Sequence, residues 1–314
     1  MTLRQTLVTL LALALLQACT DNDEPLTPLA ERYVLGSPDS VPEGVAFDPW
    51  ERRFYATSLN GGSITRISAD GTESIFRAAD GRAELLGAKV DPVRNLLWVC
   101  AQGVDGLDNR VWTFDISSAE MTGEYFLGAL ATDGSCNDLV LDSDGTAYVT
   151  DPANPFIYAL DPDSGEGRVL ATDPLFADVT GSGLGLNGIA IAPDGDALIV
   201  AKFLPPSLLR VSLPGAETVE QIALDGALPF PDGLAELGGD IYAVSNDSVS
   251  RIRLGADGNT GSVVTRSQIS GLSTATTAEG ALYAIKSEVF NFVGRQTLNT
   301  PFEIFRVDLD AFDQ

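Results

Sequence analysis

Six times along the chain an aromatic or aliphatic residue inside a β-rich segment returns at a near-constant interval. Tyr55, Trp98, Tyr148, Ile199, Tyr242 and Tyr283 are separated by 43, 50, 51, 43 and 41 residues. The unit around them is clearest at 136–151, where Leu139-Val140-Leu141 and Ala147-Tyr148-Val149 flank an Asp144-Gly145 turn, the signature of a hairpin. Asn187 to Ile191, Asp194-Gly195 and Ala197 to Val200 restate it. A hairpin this short cannot bury both faces, so the copies must stack on one another. A third β-rich segment follows in each unit, at 63–68, 110–116, 156–160, 207–212, 248–254 and 302–309. A period of about 45 residues is that of four-stranded propeller blades, well above leucine-rich or helical solenoids. The expected fold is all-β, a six-bladed β-propeller with four-stranded blades spanning residues 31–314. The last unit ends after its third strand. Arg32 to Leu35 is expected to supply the missing outer strand and close the ring, which removes an exposed sheet edge.

Ahead of this body, Met1 to Cys19 carries Arg4, an apolar run from Leu7 to Leu16, and then Gln17-Ala18-Cys19. The run is too short for a spanning helix, which needs about 20 residues. The segment resembles a bacterial lipoprotein signal, with an ordinary secretory signal as the alternative. The resemblance implies removal of residues 1–18, acylation of Cys19, and, because Thr20 rather than Asp follows, anchoring on the periplasmic face of the outer membrane. Residues 19–30, rich in Asp, Glu, Pro and Thr, read as a lipidated flexible tether.

Nineteen basic against 44 acidic residues give a net charge of −25, which excludes a broad nucleic-acid or anionic-lipid surface. Membrane contact is then expected through the lipid anchor alone, and the body is expected to be a monomer. The chain has no His, so a Ser-His-Asp triad, a His-ligated zinc and a His general base are all excluded.

Aligned copies place Glu43, Leu86, Asn137, Asn187, Asp232 and Ser273 at the start of the innermost strand of each blade. In a propeller those positions form a ring on one face. Asn and Asp before Gly are common turn formers individually. Two carboxylates and two amides in register are different, because carboxylates about 5 Å apart repel by roughly 3 kcal/mol at an effective dielectric near 20 unless a cation or shared proton intervenes. Oxygen ligands alone suit a hard divalent cation, Ca²⁺ first, with Mg²⁺, Mn²⁺ or Zn²⁺ as alternatives.

Pro42-Glu43-Gly44, Asn137-Asp138, Leu186-Asn187-Gly188 and Pro231-Asp232-Gly233, in that blade order, resemble the gluconolactonase and regucalcin family of six-bladed propellers. The resemblance implies that Glu43, Asn187 and Asp232 bind the metal, that Asn137 lies beside it and touches substrate or metal, and that Asp232 is the general base. It implies hydrolysis of a lactone or ester. Members active on sugar lactones carry an Arg two residues before the third-blade Asn, where this chain has Ser135. The alternative function is a non-catalytic periplasmic propeller that binds a ligand or protein partner. A metal-independent propeller like strictosidine synthase is more remote.

Three residues beyond the alignment positions stand Ser58, Ala101, Asp151, Lys202, Ser245 and Lys286, a second ring on the same face. Two of the chain's three lysines fall here. Lys202 and Lys286 either recognise an anionic group on a small-molecule substrate or pair with acidic residues such as Asp151. An insert at 287–301, carrying Phe290, Phe292 and Arg295, is placed to lid the site. Cys100 and Cys136 fall at neighbouring positions on that face, as a disulfide or as two buried thiols.

Overall fold

The computed structural model describes residues 26–38, 40–106 and 108–314, so the leader, Cys19 and most of the tether lie outside the described residues. The body is a ring of six antiparallel sheets. Blade one contains Pro42–Asp48, Arg53–Ser58, Ile64–Ser68 and Glu73–Arg77, from the axis outward. Blade two contains Ala83–Asp91, Leu96–Gly103, Arg110–Asp115 and Met121–Phe126; blade three contains Leu139–Leu141, Ala147–Thr150, Phe156–Leu160 and Gly167–Thr172. Blade four follows with Leu186–Ile191, Ala197–Lys202, Ser207–Ser212 and Val219–Gln221. Blade five uses Leu234–Leu237, Asp240–Ser245, Ser248–Leu254 and Thr260–Ser267, with Ala223–Leu224 added in parallel at its outer edge. Blade six takes Leu272–Ala278, Ala281–Lys286 and Phe302–Arg306, and its outer strand is Arg32–Leu35, paired antiparallel to Phe302–Arg306 as the sequence predicts.

Burial explains the pattern of each strand. Inner strands have neighbours on both faces, and every residue of Pro42–Asp48 is buried, whereas the outer strand Met121–Phe126 is largely exposed. Within Ala197–Lys202 the period of two divides the core: Leu198 and Val200 pack against blade three with Ile157 and Leu170, while Ile199 and Ala201 pack against blade five with Ile241 and Ile252. The blade-three hairpin is wider than a two-residue turn. Leu141 pairs with Ala147, and the loop between them closes through the Gly145 N–H on the Asp142 carbonyl at 3.1 Å, with Gly145 at φ 86°.

Candidate functional site

Each inner strand enters the axis through a bulge, in which two residues face one on the second strand. The pairing shifts between Pro42 and Val45, Leu85 and Ala88, Leu186 and Ile189, and Leu272 and Ala275. In blades three and five the same arrangement appears as Asn137 N–H to Thr150 O with Thr150 N–H to Asp138 O, and Asp232 N–H to Val244 O with Val244 N–H to Gly233 O. A bulge re-aims its first side chain. Here the first residues are Glu43, Leu86, Asn137, Asn187, Asp232 and Ser273, the six ring positions.

The carbonyls of those six residues also tie the blades together. Leu86 O accepts from Thr57 Oγ1 at 2.6 Å, Asn137 O from Gly87 N at 3.0 Å, and Asn187 O from Thr150 Oγ1 at 2.6 Å. Asp232 O accepts from Gly188 N at 2.7 Å, Ser273 O from Gly233 N at 2.9 Å, and Glu43 O from Ser273 Oγ at 2.7 Å. The ring is continuous. Its close approach is why glycine follows the ring residue in four blades: a Cβ on Gly44 would run into the Leu86 carbonyl, and one on Gly188 into the Asp232 carbonyl.

Glu43, Asn187 and Asp232 are buried, at 7%, 8% and 7% exposure, and with the half-buried Asn137 they form the floor of a cavity of about 610 Å³. Asn187 stands beside Asp232 on that floor and opposes the rise of its carboxyl. Leu59, Leu86, Phe203 and the insert residues Phe290, Phe292 and Arg295 line the walls, so the insert covers the site as expected. It contains one short helix, Val289–Val293. A second cavity of about 510 Å³ opens among the later halves of the inner strands and holds Lys89, but none of the ring carboxylates.

The second ring has a different role from the one expected of it. Lys202 and Lys286 do not line the cavity. Lys202 Nζ donates to Leu175 O at 2.7 Å, and Lys286 Nζ to the carbonyls of Asn299 and Pro301 at the base of the insert. Neither pairs with Asp151, which accepts from Ser135 N, Ala153 N, Asn154 N and Tyr158 OH. Ser58 donates to Ser40 O and Ser245 to Pro229 O. These contacts pin the loops leading into Glu43, Asn137 and Asp232. Sequence register places a lysine's Cα but not the end of its flexible stem.

Cys100 and Cys136 are both buried and both free thiols. Burial, and then the neighbouring Cys136 side chain, push the Cys100 thiol well up, while Cys136 Sγ donates to Arg110 O at 3.4 Å. The structure thus holds the reduced alternative of the two.

No family model matches the chain, and no curated protein does. Solved structures do. The major allergen Mala s 1 of Malassezia sympodialis matches with TM-score 0.73 and 14% identity over 91% of this chain and 98% of that one. A gluconolactonase of Xanthomonas campestris matches with TM-score 0.63 and 18% identity over 90% and 92%. The chain is a six-bladed β-propeller with gluconolactonase-like structural neighbours. The PQQ-bound aldose sugar dehydrogenase of Streptomyces coelicolor shares the architecture, with TM-score 0.58 and 17% identity over 90% and 99%. The fold alone therefore does not choose a chemistry.

Adjoining the cavity floor, a small space is lined by Glu43, Asn137, Asp138, Asn187, Asp232 and Thr274. Glu43 Oε2, Asp138 Oδ2 and Thr274 Oγ1 are buried there without a hydrogen-bond partner. Burial, then the nearby Asp232 and Asp138, push the Glu43 carboxyl well above its ordinary range; Asp232 is pushed up to about 7, by burial first and by Asp138 in part. Asp138 is also raised by burial, with Lys89 opposing. Clustered buried carboxylates with orphaned oxygens fit a divalent cation. Asp138 was not among the expected ligands. Its signal is that it stands where four blades have glycine.

Proposed function

We propose that this chain is a divalent-metal-dependent hydrolase of a lactone or ester. The observation that carries the proposal is the convergence of Glu43, Asn187 and Asp232, with orphaned Glu43 Oε2, at the floor of one deep cavity. These three residues would hold the cation, with Asn137 beside it facing substrate. The donors are all oxygens, which suits Ca²⁺ first, and Mg²⁺, Mn²⁺ or Zn²⁺ next. When bound, the cation would polarise the substrate carbonyl and offset the negative charge that develops on its oxygen.

The chain's own groups supply the rest. Asp232, buried on the cavity floor, takes a proton from the attacking water. The Asn187 amide stands beside that carboxylate on the floor. Asn137, on the same floor, orients the substrate through its amide. Among the described residues no Ser, Thr or Cys lines the cavity, so water is taken as the nucleophile, with no covalent intermediate. A gluconolactonase among the structural neighbours is consistent with this reaction.

The test is hydrolysis of a panel of lactones and aryl esters by chelated protein, then with Ca²⁺, Mg²⁺, Mn²⁺ or Zn²⁺ restored. Activity should require the cation and fall at least about a hundredfold in Asp232→Asn, the scale for loss of a general base. Turnover by the chelated protein, or by Asp232→Asn at the wild-type rate, would contradict it.

A further inference from the structure

We propose that the site accepts a lactone or ester whose body is an alkyl or aryl group, and not a polyhydroxylated sugar lactone; this rests on the hydrolase reading above. Only the cavity floor is rich in polar groups. Above it the walls are made by Leu59, Leu86, Leu184, Phe203, Phe290 and Phe292. Three successive blades each contribute one aromatic to a row, of which Phe203 and Phe290 line the cavity. Phe203 follows the second strand of blade four, Phe230 lies in the loop entering Asp232, and Phe290 belongs to the blade-six insert. The ring centroids of Phe203 lie 5.5 Å from those of Phe230 and 5.8 Å from those of Phe290. Phe290 keeps 40% of its surface exposed, apolar area that an apolar guest would cover.

A sugar lactone would meet the opposite requirement. Each hydroxyl taken out of water needs a hydrogen-bond partner, or binding is penalised. Above the floor the polar side chains are Glu84, Gln102 and Arg295. Gln102 gives one of its two amide N–H groups to Cys136 O at 2.7 Å, and Glu84 and Arg295 are exposed, already served by water. Ser135 is buried, and its backbone N–H is given to Asp151. The walls therefore offer surface and not an array of hydroxyl partners. A cavity of about 610 Å³ has room for a ring plus a chain of several carbons.

The experiment compares three lactones with the same six-membered ring, δ-valerolactone, δ-decanolactone and δ-gluconolactone, on cation-loaded full chain. Burying about half of a pentyl chain should raise kcat/KM for δ-decanolactone roughly thirtyfold over δ-valerolactone. The Phe290→Ala/Phe292→Ala double variant should cut that ratio to about threefold. δ-Gluconolactone as the best of the three, or an unchanged ratio in the double variant, overturns the inference. Should none be hydrolysed, titration calorimetry with δ-decanolactone separates the two claims. Binding that the double variant weakens at least tenfold would retire the hydrolase and keep the apolar site, and absence of binding would overturn both.

Discussion

The hydroxyl of Ser273 donates to the carbonyl of Glu43 at 2.7 Å across 230 positions of sequence, and so closes the ring of inter-blade bonds between the last blade and the first. Ser273 is fully buried, and the carbonyl it serves belongs to a ring carboxylate residue. Ser273→Ala should cost about 1–3 kcal/mol, the penalty for leaving a buried carbonyl unsatisfied, read by urea unfolding. An unchanged midpoint would show that water takes the place of the hydroxyl.

Gly188 tests the closeness of the blades. A Cβ there would meet the Asp232 carbonyl and the Leu234 N–H, both backbone, so neither can swing away. Gly188→Ala should destabilise by roughly 1–3 kcal/mol and weaken cation binding, because blade five must move with Asp232. Gly195→Ala is the control: it has φ 78° and open space, so its cost should be about 1 kcal/mol and confined to the turn.

The buried carboxylates set a pH dependence for the metal-free protein. Asp232 has an ordinary value of 3.8 and is raised to about 7 in the fold. Between those values the unfolded chain has released a proton that the folded chain keeps. Its contribution to stability is therefore complete below about pH 4 and lost as pH rises to about 7, a change on the order of 4 kcal/mol. Glu43 is raised by the same causes and adds with the same sign. Melting temperatures of chelated wild type should fall across pH 4–7 more steeply than those of Asp232→Asn, since general repulsion in a chain of net charge −25 is common to both. Parallel curves would contradict the assignment.

Lys202 is expected to act on the fold and not on the substrate. Its ammonium caps the carbonyl of Leu175 in the 3-10 turn Pro174–Phe176, ahead of blade four. Lys202→Met should lower stability by about 1–3 kcal/mol and leave KM within about twofold. A large rise in KM with unchanged stability would return the residue to substrate recognition.

How far the sequence carries can be followed at particular residues. The blades were legible because stacking forces each copy to bury the same alternate positions; the third strands at 156–160, 207–212 and 248–254 match the observed bounds, and the closing role of Arg32–Leu35 followed from a missing fourth strand. The ring residues were legible because their register is backbone register. Lys202 and Lys286 were not, because four rotatable bonds separate the charge from the strand that places it. Thr57 and Thr150 escaped notice for a related reason: their hydroxyls serve carbonyls of the next blade, a partnership without local sequence pattern. The added strand Ala223–Leu224 is only two residues long and shows no alternation to detect.

The central claim is that Glu43, Asn187 and Asp232 hold one divalent cation on the propeller axis. Calorimetric titration of Ca²⁺ into chelated protein tests it most directly, with Mg²⁺, Mn²⁺ and Zn²⁺ in parallel and with Glu43→Gln and Asp232→Asn beside wild type. One cation per chain, tighter at pH 7.5 than at pH 5 and weakened at least tenfold in both variants, is the predicted result. No binding of any of the four cations, or binding that both variants retain undiminished, would contradict it.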